Sequence, residues 1–411
     1  MTIGLFTSSV QGMNVQSHSM AQISTNIANV NTVAYKRSET NFQTILGKEN
    51  LSLNSFSGVA ATDRRYVEDI GQFVSSSGQY DVAINGSGFF VVNDSVDGDG
   101  QNYYTRAGNF SGLSLTNSDG TIDSYLGTES GYYVMGWMAD DDGTFPTGED
   151  LEALNIEAAE EIDGTATTSV TIRGNIAADC DDESQSIGLA IYGPDFDAKN
   201  ISAVFTETDT ANVWELSFVS SEGTVTSPAA DEPITVRFDD EGNFAEPTTG
   251  IPFSITWADG SGSNTVELDI SEMTQLGDEK IILGIDQNGQ ETGQLLSTSF
   301  DSNGVLSGIY SNGVSKPICK LAQAEFTVPN NLEAVSGNLF KATFEAGEIT
   351  IKGDGENGAA SPLLVSTLES SNVDLVDQFS KMVITQKAYS TAATAFKTTD
   401  EMLQEVANLK Q

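Results

Sequence analysis

The sequence predicts a mainly β fold with α-helical termini, and three observations carry that prediction. Apolar residues recur at 4-3 spacing at both ends of the 411-residue chain. Alternating hydrophobicity cut by Gly, Asn and Asp turns fills the interior. Charge is uneven: the net is −41, yet residues 1–35 contain no Asp, Glu, Lys or Arg.

At the amino terminus Phe6, Val10, Met13, Ser17, Met20, Ser24 and Ile27 follow spacings of 4, 3, 4, 3, 4 and 3, a heptad seam with serines at some core positions. The other face is Ser, Thr, Gln and Asn, not the Lys/Glu face of a freely solvated helix. Asn26, Asn29 and Asn31 mark the expected helix exit, because Asn tolerates the left-handed conformation and bonds the backbone locally. With Tyr35 and Lys36, where the first charge arrives, they form a predicted hinge. Residues 31–74 have no sustained period and read as an extended connector.

A β domain is expected from 75–145 and 285–364. DVAINGSGFFVV (81–92) reads as strand, Asn-Gly turn, strand, and NSDG (117–120), DDDG (140–143) and DSNG (301–304) mark further tight turns. Residues 146–284 read as a second β domain inserted into the first, with turns at DDEG (239–242) and ADGSG (258–262). Residues 145–285 carry 29 acidic residues against Arg173, Lys199, Arg237 and Lys280, a surface suited to water.

At the carboxyl end Leu375, Phe379, Met382, Gln386, Tyr389, Ala393, Phe396, Asp400 and Leu403 continue the 4-3 alternation. Ser371 and Asp374 form a capping-box signature, with Asn372 a competing cap. A helix over 373–409 would be roughly 55 Å long at ~1.5 Å per residue. Each terminal helix has an apolar stripe to cover, so the termini are expected to pair with each other or with copies of themselves, against the alternative of packing on the chain's own globular core.

The net charge argues against nucleic acid, and no apolar run approaches the ~18–20 residues of a membrane span. The first residues lack a basic n-region and compact apolar core, so no cleavable secretory signal is expected. Enzymatic candidates fail one by one. His18 is the sole histidine and sits in the helical segment. Asn85-Gly86-Ser87-Gly88 begins like a dinucleotide fingerprint, but its third glycine would fall at Val91, and a hairpin turn explains the glycines. Asp94, Asp97 and Asp99, and Asp140, Asp141 and Asp142, lack calcium-loop spacing and read as solvated turns. With 59 acidic residues, any choice of a paired-carboxylate site is arbitrary. Cys180 and Cys319 read as two unrelated thiols. No catalytic residue, cofactor or metal ligand is assigned, and the chain is not expected to be an enzyme.

The chain resembles the bacterial flagellar hook proteins, within the wider family of axial proteins that build the flagellar rod and hook. The resemblance rests on ISTNIANVNTVAYKRSETNF (23–42), DVAINGSGFFVV (81–92), YTRAGNF (104–110), YSNG (310–313), LAQAEFTVPNNLEAVSGNLF (321–340) and LESSNVDLVDQFSKMVITQKAYSTAATAFKTTDEMLQ (368–404). The family usually has a glycine where this chain has Ala34.

The resemblance implies a layered subunit: helices at 1–30 and 365–411 in an inner tube, the 75–145/285–364 β domain in a middle shell, and 146–284 outermost. It implies a helical homopolymer, a hollow curved tube joining rod to filament as a universal joint and carrying exported subunits. Rod, hook-cap and hook-filament junction proteins and the flagellar type III export machinery would be partners, at an extracellular location, without membrane insertion. Phe6, Val10, Met13, Met20, Ile27, Leu375, Phe379, Met382, Tyr389, Ala393, Phe396 and Leu403 would then pack between subunits. Asn85, Gly86, Gly88, Phe89, Phe90, Thr105, Arg106, Gly108 and Phe110 carry the β motifs. A distal rod protein shares the terminal blocks but lacks the large insertion. A secreted acidic β-rich adhesin is the reading from another class.

Overall fold

The computed structural model describes residues 2–46, 57–116, 122–140, 142–146, 148, 150–156, 160–178, 184–228, 232–277, 279–353 and 360–408. The chain forms two compact units. The first comprises Met1–Ala158, Thr298–Gly308 and Lys316–Gln411, and the second Ala159–Ser297 and Ile309–Ser315. The terminal helices and the first β domain, drawn separately from the sequence, share the first unit.

Two helices open and close the chain, α1 (Thr2–Ala28) and α2 (Leu375–Asn408). The N-cap of α2 is Asp374, whose carboxylate accepts from the Val376 and Asp377 amides at 2.8 and 3.2 Å. Ser371 and Asn372, the other cap candidates, lie outside the helix.

The stretch expected to be an extended connector holds an antiparallel ribbon, β1 (Ser38–Leu46) with β2 (Ser57–Arg65), paired from Ser38↔Arg65 to Leu46↔Ser57. Its strands are rich in Ser, Thr, Asn and Gln, so the period-2 apolar signal of a half-buried strand is missing. Side-chain bonds tie the ribbon to both helices. His18 Nε2 and Gln22 Nε2 reach the Asp63 carboxylate at 2.9 and 3.0 Å, and Lys381 Nζ reaches Glu39 at 2.7 Å.

The β part of this unit is centred on Phe89–Asn93. In chain order its early strands are β3 (Phe73–Ser75), β4 (Val82–Ile84), β5 (Phe89–Asn93), β6 (Asn102–Thr105), β7 (Phe110–Thr116), β8 (Ile122–Thr128) and β9 (Tyr133–Met138). β5 pairs with β6, β9 and Gln323–Phe326, whereas β4 pairs with Leu363–Val365. The hairpin expected at residues 81–92 is therefore two strands in different sheets. Gly86 and Gly88 are required by close approach instead: a Cβ at Gly86 would collide with the Ser361 hydroxyl, and one at Gly88 would stand 2.8 Å from Gln323 Oε1. Phe89 sits edge-on to Phe326 and Phe340 at 5.6 and 6.0 Å, in a core with Val91, Tyr104, Met135 and Trp137.

The second unit is a β-sandwich. One sheet runs Gly223–Ser227, Ile251–Trp257, Ser263–Asp269, Ser169–Ile176 and Met273–Gln275, with Ile281–Gln287 also on Ser169–Ile176. The other runs Ser184–Tyr192, Ala198–Glu207, Val213–Val219, Ile234–Phe238 and Phe244–Glu246. Strict alternation of buried and exposed residues along Ser184–Tyr192 sends Ile187, Leu189 and Ile191 inward. Phe218 and Phe253 stack across the core with centroids 4.2 Å apart. The turn at 239–242 is formed as read, the Asp239 carboxylate accepting from Asn243 N at 2.7 Å while Gly242 takes φ +83°; the turn read at 117–120, and Asp141 of that at 140–143, lie outside the described residues.

Candidate functional site

The three asparagines have three different fates. Asn26 is inside α1 and buried. Its amide donates to Ser38 O (2.8 Å) and Gln378 Oε1 (3.0 Å), and its carbonyl accepts from Ser38 N (3.1 Å) and Tyr35 Oη (3.2 Å). It ties α1, α2 and the ribbon together and is not a helix exit. Asn29 follows the helix, donating from its side chain to Thr25 O at 2.9 Å, and Asn31 is exposed. None of them takes the left-handed conformation. That position is Ala34, at φ +55°, buried, with its amide on Glu369 O at 2.8 Å. The chain reverses there to reach the ribbon, which is why a glycine suits the position.

Lys36, read from the sequence as part of a hinge, is buried. Its ammonium lies 2.6 Å from Glu369 Oε1 and donates to Asp69 O at 2.7 Å. Arg106 Nη1 approaches Glu369 Oε2 at 3.7 Å, and all three side chains are 1% exposed. Burial pushes both cations below their ordinary pKa, opposed by the Glu369 charge. Gly71 N adds a 2.9 Å bond to Glu369 Oε1, and the guanidinium lies over Phe89 at 5.0 Å. Two cations and one carboxylate thus join three sequence blocks.

Around this cluster, Asn372 Oδ1 accepts from Arg37 N at 2.7 Å, while its amide donates to Tyr66 O and Asp69 O. Thr105 Oγ1 donates to Asn338 O at 3.0 Å, and Asn338 Nδ2 reaches Val33 O at 2.7 Å. Gly108 packs so tightly on Val82 O that a Cβ would collide with it, and Phe110 meets Phe90 edge-on at 5.0 Å. Glu369 and Asn338 were not singled out from the sequence, and Asn372 was read only as a competing helix cap. Glu369 left one signal: it is the sole charge between residues 357 and 373.

The helices pair with each other inside the chain through a stripe offset from the apolar seam. On α1 the buried side chains are Val15, Ile23 and Asn26, with Gly12 crossing close to Ala392. On α2 they are Gln378, Thr385 and Thr399. Val10, Met13, Met20, Ile27, Met382, Ala393, Phe396 and Leu403 are half-buried, and Leu375, Phe379 and Tyr389 are exposed. The Phe6 side chain lies outside the described residues. Along the first half of α2, Val376 (77% exposed), Phe379 (52%), Val383 and Ile384 (68%) form an apolar face that the chain leaves uncovered.

A cavity of about 230 Å³ opens where α1, α2 and the ribbon meet, with Ile23, Asn26, Gln378 and Thr385 at its floor and Phe42 and Ile384 at its mouth. Among the described residues no cluster of three His, Cys, Asp or Glu side chains is placed to hold a metal, and no helix is long and apolar enough to cross a membrane. Asp94 accepts from Gln101 N, and Asp140 from Thr144 N and Oγ1. Cys319 is buried, which pushes its thiol pKa up to about 12, and Cys180 lies outside the described residues.

Three family models match the chain. The flagellar hook protein FlgE/F/G D1 domain covers 83–178, the flagellar basal body protein FlaE D2 domain covers 161–290, and the flagellar basal body rod FlgEFG protein C-terminal covers 365–409. The flagellar hook protein FlgE of Rhizobium meliloti is 30% identical over 423 residues, covering 99% of each chain. The chain belongs to the flagellar hook protein family. FlgE of Brucella suis is 28% identical over 99% of both chains, and FlgE of Treponema pallidum 28% identical over 98% of this chain and 99% of its own. A solved chain of Helicobacter pylori flagellar hook protein FlgE2 superposes with a TM-score of 0.49 at 16% identity, covering 72% of this chain and all of that one. Hook family membership makes this a structural, self-polymerising component of the flagellum, located in the hook.

Proposed function

We propose that the chain polymerises into a hollow, curved helical tube that links rod to filament as a universal joint and conducts exported subunits. The observation that carries this reading is the uncovered apolar face of α2. The in-chain helix pair uses a partly polar seam, so Val376, Phe379, Val383 and Ile384 are left for neighbouring copies. In this reading the residues named above as the terminal apolar seam pack between subunits. A tube from one chain type needs heterologous, non-closing contacts, in which two different surfaces meet. The acidic second unit supplies hydrated, mutually repelling surfaces suited to an outer layer that slides as the tube bends. Subunits leave the cell through the flagellar type III export machinery without a cleavable signal, assemble beneath a hook cap, and meet rod and junction proteins at the two ends. No catalytic role is proposed.

Electron microscopy of purified protein and of Phe379→Asp tests it. Wild-type protein should form short curved tubes. Phe379→Asp should keep the monomer's melting behaviour, because Phe379 is already exposed, and should form none. Normal tubes from the variant would refute the assignment of this face.

A further inference from the structure

The region Pro329–Gly347 contains a feature that the terminal helices do not account for. Phe344, at the start of the 3₁₀ turn Phe344–Ala346, is fully exposed (101%). Its backbone is firmly held. Ala346 N donates to Thr343 Oγ1 at 3.2 Å, Thr343 Oγ1 donates to Asn331 O at 2.7 Å, Asn331 Nδ2 donates to Glu345 O at 3.0 Å, and Val328 N donates to Ala346 O at 3.0 Å. Ala346 is completely buried behind it. The corner is also locked to the chain leaving the ribbon, since Asn330 Oδ1 accepts from Val67 N at 2.8 Å. A rigid turn thus presents an aromatic ring that touches little of its own chain.

We infer that Phe344 is a knob that inserts into the cavity between α1, α2 and the ribbon of a second copy of this chain. The inference rests on the polymer reading above. A heterologous contact needs a projection and a recess at different places on one subunit, and both are present. The recess, about 230 Å³, exposes more apolar than polar surface, from Ile23 at its floor, Phe42 and Ile384 at its mouth and the aliphatic parts of its polar lining residues, among them Glu39 and Lys381. It suits a single ring, as a cavity of roughly 150 Å³ accepts benzene. Ile384 also belongs to the uncovered face of α2, so the recess continues the surface already assigned to neighbouring copies. The larger groove along 69–72 and 370–375, and the one at 247–251 and 267–271 in the second unit, are lined mainly by polar groups and suit an aromatic ring poorly.

The test replaces Phe344 with the photo-crosslinking analogue p-benzoylphenylalanine in polymers assembled from mixed isotope-labelled and unlabelled subunits. Irradiation should give a ladder of covalent oligomers, with mixed-isotope adducts on residues 38–42 or 378–385. In parallel, Phe344→Ala should raise the critical concentration for polymerisation by about 30-fold, the effect of truncating a buried interface aromatic. Phe344→Leu should recover much of that, with the monomer's melting temperature unchanged in both. Adducts elsewhere on a second copy, or within one copy, would overturn the knob while leaving the polymer reading intact, as would an unchanged critical concentration. Failure of the wild-type protein to polymerise at all would overturn both.

Discussion

Glu369→Gln is the most informative single change in the first unit, because it preserves shape and removes the one negative charge that two buried cations share. At an effective dielectric of ~20, attractions across the observed 2.6 and 3.7 Å separations are worth about 6 and 4 kcal/mol gross. Much of that is offset, since a neutral amide no longer has to be desolvated as a carboxylate. What remains is two cations without a counter-charge, and breaking a buried pair in this way costs about 3–5 kcal/mol. Lys36→Met takes away one cation and leaves Arg106 and Glu369 balanced. It forfeits the bonds to Glu369 Oε1 and Asp69 O but no longer buries an ammonium whose pKa is already pushed down, a loss of about 1–3 kcal/mol.

The order of the two losses is the test. Calorimetry on unpolymerised protein should show the first unit's transition lowered by ~6–20 °C for Glu369→Gln and ~2–12 °C for Lys36→Met, at ~2–4 °C per kcal/mol. The second unit's transition should not move. Equal losses, or a larger one for Lys36→Met, would show that packing around the junction dominates and that the charge argument is wrong.

Three further expectations follow from particular residues. At Ala34, φ +55° means that Ala34→Gly trades relief of a left-handed strain of about 1–2 kcal/mol against a lost methyl contact and greater unfolded-chain freedom, so its stability should stay within ~1 kcal/mol of wild type. Ala34→Val, β-branched in the same conformation, should lose ~3 kcal/mol or more in urea unfolding. In the second unit, hydrogen bonds from Lys199 and Ser261 hold the Asp259 carboxylate below its usual range, and bonds from Asn243 and its neighbours do the same for Asp239. Groups depressed on folding stabilise the fold above their unfolded pKa near 4 and lose that contribution as pH falls, so this unit's melting temperature should decline below about pH 4, and less steeply in Asp259→Asn. Finally, the bending stiffness of assembled hooks should respond to ionic strength between roughly 0.01 and 0.5 M, because screening weakens repulsion between acidic outer surfaces. A flat response would remove electrostatics from the bending mechanism.

The terminal helices, the Asp-initiated turns and the alternating strands of the acidic unit were legible because each follows from a local period or a short turn signature. The ribbon was not, since Ser38–Leu46 and Ser57–Arg65 lack an apolar face and are held by their pairing and by His18, Gln22 and Lys381. The false hairpin at Asn85-Gly86 has a similar origin: two correct strands flank a plausible turn, but the partner of Val82–Ile84 lies near residue 364, beyond the reach of local signals. The burial of Lys36 was not legible because it becomes tolerable only with Glu369, some 330 residues away. The helix seam was read from the largest apolar residues, whereas the side chains buried along the in-chain pair are Val15, Ile23 and Asn26 on one helix and Gln378, Thr385 and Thr399 on the other.

That division of the helix surface has an energetic consequence for assembly. Had the two helices met through Leu375, Phe379 and Val383, the monomer would have gained stability and little apolar surface would have been left to bury between copies. As it is, complete burial of a large apolar side chain is worth about 1.5–3 kcal/mol, and Val376, Phe379, Val383 and Ile384 are half to three-quarters exposed, so covering the face is worth roughly 4–8 kcal/mol. Lost translational and rotational freedom costs about 4–15 kcal/mol per association. One helix contact therefore leaves little net affinity, and an isolated pair of subunits is held weakly. A subunit that docks against several neighbours at once meets the entropic cost once and gains each contact, so growth at an existing tube end is favoured over new nuclei. A monomer that stays apart in solution and adds readily to a tube end is what a partly polar internal seam and an uncovered apolar face together produce.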